Sequence, residues 1–418
     1  MSGTERALPG HLYGVGVGPG DPGLITLRAA GLIESADVLA YHRAAHRSST
    51  ARAIAAAHVR GGVVEEELVY PVTTGTTDHP GGYYGALADF YAECAERLRA
   101  HLAAGRSVVV IAEGDPLFYG SFMYVHDALR EDFPTEVVPG ITAMAAASAA
   151  VGTGLCRHED TLTVLPGTLP VAELARRLAD TDAAVIMKLG RTFAAVREAL
   201  RQAGALERAV YVEGASREGQ RVLPVAEVDA DSVPYMSIVV VPGGDLRADA
   251  AGRSAVAATV AGTVPAAAKV PAGTPGTVHV VGLGPGPQRW LTPEASAVLA
   301  QVEHVVGYAP YVARVPQREG LQRHASGNTV ELDRARLALD LARSGASVAV
   351  VSGGDAGVFG MATAVFEARE AAAEDPGHLD VPVVVHPGVT AAHAASALVG
   401  AVLGGDHALV NLSDNLKP

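Results

Sequence analysis

The chain contains an imperfect copy of itself. LYGVGVGPGDPGLITLRAAGLIESADVL over residues 12–39 matches VHVVGLGPGPQRWLTPEASAVLAQVEHV over 278–305, setting Gly16, Gly18, Pro19, Gly20 and Thr26 on Gly282, Gly284, Pro285, Gly286 and Thr292. VVVIAEGDPLFYG (108–120) matches VAVVSGGDAGVFG (348–360), and VVPGITAMAAASAAVG (137–152) matches VHPGVTAAHAASALVG (385–400), in the same order. A period of roughly 240–270 residues is far too long for a solenoid and means two tandem copies of one large module. A chain of 418 residues also exceeds what one hydrophobic core organises.

Within each copy, short Val/Ile-rich runs such as LYGVGV, VVVIAEG, AAVIMKLG, AVYVEG and SIVVVP alternate with longer segments of helical period such as FYAECAERLRAHLAAG. Continuously apolar runs suit parallel strands covered on both faces, with the helices as crossovers, so the fold class is α/β. Thr26 before LRAAGLI, and Thr292 followed by Pro293 and Glu294, mark helix starts. Residues 243–276, rich in Ala, Gly, Pro, Val and Thr without amphipathic period, read as a linker. The first copy runs on to residue 242, whereas the second ends soon after HPGVT, so the second is expected to lack most of its C-terminal half.

Acidic residues outnumber basic ones, 45 to 32, for a net charge of -13, which opposes a nucleic-acid partner because phosphate neutralisation needs a basic face. Two cysteines without a C-x-x-C pair supply neither a disulfide framework nor a thiolate metal site, and a reducing cytoplasm is expected. MSGTERALPGHLYG has no basic segment followed by an apolar core, and the Ala-rich run 141–151 is too short to span a bilayer, so no membrane partner is expected. The 15 histidines form no H-E-x-x-H or comparable cluster, and no protein-bound metal is expected.

The glycines at 14, 16, 18 and 20 leave the first strand in a tight turn but satisfy neither G-x-G-x-x-G nor a P-loop. Glu113-Gly114-Asp115 and Gly353-Gly354-Asp355 fall at the carboxyl ends of buried strands, where ligands of open α/β sheets gather. Asp115 and Asp355 are expected to face that crevice; the competing reading is that each closes its own turn through an Asx hydrogen bond. Thr142 and Thr390 open Ala-rich helices, either as simple N-caps or beside unpaired amides that hold a carboxylate.

Three glycine-rich strand ends in this order resemble the tetrapyrrole methylase superfamily, S-adenosylmethionine-dependent enzymes with a two-lobed α/β fold and the cofactor between the lobes. AEGDPLFYGSFMYVH (112–126), VVPGITA and PYMSIVVVP (234–242) resemble the precorrin-2 C(20)-methyltransferases; VVGYAPYVARVP (305–316), SGGDAGVFGMA (352–362) and HPGVTAAHAASALVGAVLGGDHALVNLSD (386–414) resemble the precorrin-3B C(17)-methyltransferases. The resemblance implies two tandem modules: 10–242, with lobes of about 10–157 and 158–242, then the linker 243–276, then 277–418 as the N-terminal lobe of a second module. It implies cofactor contacts at Pro19, Glu113, Gly114, Asp115, Phe118, Thr142 and Ala143, with Lys188 and the region 220–225 from the second lobe. In the second copy the matching positions are Pro285, Gly353, Gly354, Asp355, Val358, Thr390 and Ala391. Glu113 departs from the glycine common in the superfamily.

The implied activity is C-methylation in corrin biosynthesis, from precorrin-2 to precorrin-3A by the first half and from precorrin-3B to precorrin-4, with ring contraction, by a complete second half. The alternative is a methyltransferase of the same superfamily acting on another tetrapyrrole, with the second half a docking or dimerisation module. A sulfonium methyl is already activated, so the enzyme's main task is positioning; Asp115 is the candidate for removing the ring proton. The substrate's carboxylates need local positive charge, for which Arg43, His46, Arg47, Arg157 and His158 are candidates in the first copy and Arg314 in the second. A homodimer is also expected.

Overall fold

The computed structural model describes residues 6–73, 77–156, 160–243, 275–328, 330–371 and 378–411. The linker reading falls almost entirely on residues outside these, as do Arg157 and His158.

The first sheet holds β1 (Leu12–Gly16), β2 (Val38–Ala44), β3 (Val64–Tyr70), β4 (Val108–Ala112) and β5 (Thr135–Val138) in the order β3-β2-β4-β1-β5, all parallel. Strict alternation sends Leu12, Val38, Val108 and Val110 to one face with Phe90, Cys94, Leu98 and Leu102 of α3 (Gly82–Ala103). Tyr13, Val15, Leu39, Val109 and Ile111 face the other way, against Ala29, Leu32 and Ile33 of α1 (Leu27–Ser35). Both faces are therefore covered, as the apolar strands require. Thr26 caps α1, its side chain accepting from Ala29 N–H at 3.2 Å. Short α2 (Thr50–Ile54) joins α1 on its face and α4 (Phe122–Leu129) joins α3 on the other.

After α5 (Ala143–Val151) come β6 (Thr161–Pro166), α6 (Val171–Ala179), β7 (Ala183–Met187), α7 (Phe193–Gln202), β8 (Val210–Glu213), β9 (Arg221–Pro224) and β10 (Ser237–Val241). These strands form a mixed sheet in which β6 and β7 are parallel and β10 runs antiparallel between β7 and β8.

The second copy repeats the first sheet. β11 (Val278–Gly282), β12 (His304–Tyr308), β13 (Gln322–Ser326), β14 (Val348–Ser352) and β15 (Val383–His386) lie in the order β13-β12-β14-β11-β15. The registers correspond too: Val38 sits between Val64 and Val108, and His304 between Gln322 and Val348. The helices are α8 (Pro293–Gln301, with proline as its first residue as expected), α9 (Ala309–Val312), α10 (Glu331–Arg343), α11 (Met361–Glu370) and α12 (Ala391–Val399).

The compact units do not follow the repeat. One contains described residues of 1–142 with 287–293 and 389–404; the other contains those of 143–286 with 294–388 and 405–418. One division between the units falls after 142, and α5 joins the second unit. Within the first unit, Leu403 of the second copy donates its N–H to Leu117 O at 2.9 Å, and Leu27 N–H donates to Leu291 O at 3.1 Å. Within the second unit, Leu155 of the first copy donates to Gly357 O at 3.3 Å. Leu117 and Gly357 hold the same place in the repeat, as do Leu155 and Leu403. Each copy therefore lends the segment after its Pro-Gly-(Ile/Val)-Thr-Ala helix to the other. β16 (His407–Val410) adds antiparallel to β6, extending the mixed sheet with a strand of the second copy.

Candidate functional site

The carboxyl ends of β1, β4 and β5 meet at glycines because nothing larger fits. A Cβ on Gly16 would stand 2.5 Å from Gly114 O and 2.6 Å from Gly140 Cα, and one on Gly140 would stand 2.0 Å from Gly114 O. Gly18 and Gly114 exchange backbone hydrogen bonds at 3.3 and 2.8 Å, each at positive φ (+79° and +69°). The second copy is built alike: a Cβ on Gly282 would meet Gly388 N at 2.7 Å, one on Gly388 would meet Gly354 O at 2.4 Å, and Gly284 N–H donates to Gly354 O at 3.0 Å. Each copy so presents three strand ends of bare backbone outside its central strands.

Asp115 and Asp355 hold these ends together. Asp115 is 2% exposed; its Oδ1 accepts from Leu117 N–H at 2.9 Å and its Oδ2 from Gly140 N–H at 3.1 Å. Asp355 accepts from Gly357 and Val358 on Oδ1 at 2.8 and 3.0 Å, and from Gly388 on Oδ2 at 2.9 Å. Burial pushes the Asp115 carboxyl up to about 7 against the pull of the amides, and pushes Asp355 in the same direction. The expectation that Asp115 faces the crevice as a proton acceptor meets a carboxylate that is buried and turned toward backbone donors. Its oxygens are turned inward because two backbone donors of adjoining strand ends need them, which is the Asx reading with a second, long-range tie. Asp115 ties the ends of β4 and β5 together.

The other expected cofactor positions are distributed as follows. Pro19 is buried in its turn, Pro285 and Glu113 are half-buried, and Thr142, 2% exposed, leads directly into Ala143 at the start of α5. Gly353 is explained by Tyr311, whose ring would lie 2.6 Å from a Cβ there. Phe118 is buried with its ring edge-on to His393 of α12, 4.9 Å between centroids, and Val358 bridges to Cys156. Thr390 caps α12, accepting from His393 N–H at 3.2 Å, with Ala391 as the first helical residue. Lys188, in the other compact unit from Asp115, follows β7 at φ +57°.

Two expected substrate cations are committed elsewhere. Arg43 pairs with Glu67 at 2.5 Å and donates to Ala44 O and Ala45 O, so it stiffens the end of β2. Arg314 donates to Leu283 O, Gly284 O and Gly286 O at 2.6, 2.8 and 2.5 Å, clamping the Gly-Pro-Gly turn of the second copy. In both cases carbonyls of a tight turn accept from the guanidinium. His46 and Arg47 are exposed after β2 and make no ion pair among the described residues. Sequence reasoning missed Arg334, Tyr308 and Tyr311, which line a cavity in the second copy, and the left-handed backbone of Tyr119 and Phe359 (φ +55° and +52°) at the same repeat position. Only residue-by-residue comparison of the two copies could have drawn attention to them.

The fold and these strand ends define a class: tandem α/β modules that offer backbone, rather than charged side chains, to a small ligand. Residues 11–229 and 277–418 match the Tetrapyrrole (Corrin/Porphyrin) Methylases, and the chain belongs to that family. It is similar to the cobalamin biosynthesis protein CobIJ of Mycobacterium tuberculosis (strain ATCC 25618 / H37Rv), 53% identical over 409 residues that make 98% of this chain and 75% of that one. It is similar also to the precorrin-2 C(20)-methyltransferase of Sinorhizobium sp, 50% identical over 56% of this chain and 96% of that one. A third relative, the precorrin-3B C(17)-methyltransferase of Sinorhizobium sp, is 47% identical over 34% of this chain and 56% of that one.

The chain is an S-adenosylmethionine-dependent methyltransferase. Its residues fit the nucleoside part of that cofactor: glycines at 18, 114, 284 and 354 keep side chains off the strand ends, so that a ligand can approach the backbone closely there. Among the described residues no three His, Cys, Asp or Glu are grouped to hold a metal ion, and no helix is long and apolar enough to cross a membrane.

Proposed function

We propose that residues 10–242 methylate carbon 20 of precorrin-2 to give precorrin-3A, and that 277–418 carry the first-lobe machinery for precorrin-3B C(17)-methylation and ring contraction, within corrin-ring biosynthesis. The observation that carries this reading is the duplicated strand-end architecture, glycines and aspartate latch alike, in a chain similar to CobIJ over nearly its whole length.

When bound, the cofactor supplies an activated methyl group. The protein's work is geometric: the Gly18–Gly114 pair and the Asp115 latch fix the first copy's strand ends, and Arg314 and Asp355 fix those of the second. Positioning of this kind supplies roughly 7–11 kcal/mol in favourable cases. Pro19, Glu113, Gly114, Thr142 and Ala143 with Lys188 are proposed as cofactor contacts, and Pro285, Gly353, Gly354, Thr390 and Ala391 as their counterparts. His46 and Arg47 are proposed to meet substrate carboxylates, together with Arg157 and His158. Ring-proton removal is proposed to fall to water or to a substrate carboxylate, because the Asp115 carboxyl is buried.

A second reading has its own support: α12 lies on Phe118 of the first copy, so the second half also acts as a docking module that shapes the first. A homodimer is part of the proposal. A cytoplasmic location completes the proposal. Incubating the purified chain with precorrin-2 and S-adenosylmethionine tests it: the expected product carries one additional methyl at carbon 20, and methylation of uroporphyrinogen in preference to precorrin-2 overturns the substrate.

A further inference from the structure

The second copy has a cavity that the first has filled. It measures about 200 Å³ and is lined by Tyr308, Tyr311, Glu331, Arg334 and Cys156, with Asn328 at its exposed rim. By strand register, His42 and Tyr70 stand in the first copy where Tyr308 and Asn328 stand in the second, and the common helix ends before Gly105 and Gly345 set Cys94 on Arg334. In the first copy this region is packed: His42 stacks on Tyr70 at 5.4 Å, and the Tyr70 and Tyr91 hydroxyls both bond Ser121 Oγ, at 2.5 and 3.0 Å. Space and charge at this place belong to the second copy.

Arg334 is 4% exposed. Its Nε donates to Ser326 Oγ at 2.7 Å and its Nη2 to Gly327 O, but Nη1 has only the thioether of Met361, at 3.6 Å. Sulfur is a weak acceptor, and among the described residues no carboxylate lies within ion-pair reach of the guanidinium. A buried cation normally has an anionic partner, because desolvating it alone is costly. Glu331, one turn earlier on α10, lines the same cavity and acts on the guanidinium through the field of its charge, outside ion-pair distance. The Tyr308 and Tyr311 rings meet edge-on at 5.4 Å, and their hydroxyls have no hydrogen-bond partner among the described residues.

We propose that this cavity binds a carboxylate, with Arg334 Nη1 as its charged donor and the tyrosine hydroxyls as its neutral donors. That the carboxylate is an arm of the second half's acidic tetrapyrrole substrate rests on the function proposed above; the binding of a carboxylate does not.

Titration of the full chain with 13C-propionate, followed by NMR line broadening, tests the site apart from methyl transfer. Propionate is expected to bind at least 10-fold more tightly than propionamide, and Arg334→Met to weaken it about 10- to 100-fold, the range of a charge-assisted hydrogen bond. Glu331→Gln, which removes the cavity's own negative charge, is expected to tighten it. Should Arg334→Met fail to fold by circular dichroism, the propionamide comparison and Glu331→Gln decide. Equal binding of propionate and propionamide, no change in a folded Arg334→Met chain, weaker binding in Glu331→Gln, or preference for inorganic phosphate overturns the assignment.

Discussion

Replacing Asp115 by alanine strips the acceptor from two buried backbone donors at once, the Leu117 and Gly140 amides. Each unsatisfied buried donor costs about 1–3 kcal/mol, so the loss should be about 2–6 kcal/mol, felt where β4, β5 and the Gly114 turn meet. The chain has a single tryptophan, Trp290, packed against the core around α1 in the same compact unit, so its fluorescence in a urea titration reports this region. Asp115→Asn removes the charge and keeps only one of the two acceptors, so the comparison with wild type is made across pH. With the folded-state carboxyl at about 7 against 3.8 unfolded, the native state holds more protons between those values, so wild-type stability falls as pH rises through that window. The effect is at most about 4 kcal/mol from this residue. Asparagine does not titrate, so its stability relative to wild type should climb from pH 4 to pH 7. A loss below 0.5 kcal/mol in the alanine variant, or a wild type that gains on the asparagine variant as pH rises, would refute the latch and the cause given for its raised carboxyl.

Other outcomes follow from the same geometry. Gly140→Ala, with a Cβ 2.0 Å from Gly114 O, should abolish cofactor binding measured by calorimetry and lower the melting temperature, whereas Gly61→Ala, with open space around it, should do neither. Arg314→Met should loosen the Gly-Pro-Gly turn and show as faster amide exchange at 283, 284 and 286, while Arg47→Met should leave exchange unchanged and raise KM for substrate if Arg47 meets a carboxylate. Thr390→Ala removes the cap of α12 and should cost about 1 kcal/mol in denaturant midpoint comparisons.

The sheets were legible because apolar runs and glycine turns are local signals, and their recurrence 240–270 residues on ruled out coincidence. The direction of Asp115 was not, since it depends on Gly140, which reaches it only when β5 docks beside β1. Nor was the exchange between copies. AMAAASAAV and AAHAASALV are apolar around most of their circumference, which does not say what α5 and α12 pack against, nor that α12 leaves Leu398 and Val399 exposed. Arg43 and Arg314 looked like substrate cations because composition shows a charge and not the carbonyls that claim it. Arg334 was hidden behind Cys94, its dissimilar partner in the repeat.

The central claim is that this chain uses paired glycine strand ends to hold S-adenosylmethionine against a reduced tetrapyrrole. Its most direct test is single-turnover transfer of an isotopically labelled methyl from S-adenosylmethionine to precorrin-2, with the product's position of labelling read by carbon NMR. The account predicts label at carbon 20, lost in Gly140→Ala while Gly61→Ala retains it. Label at another ring carbon, or transfer undiminished in Gly140→Ala, would contradict it.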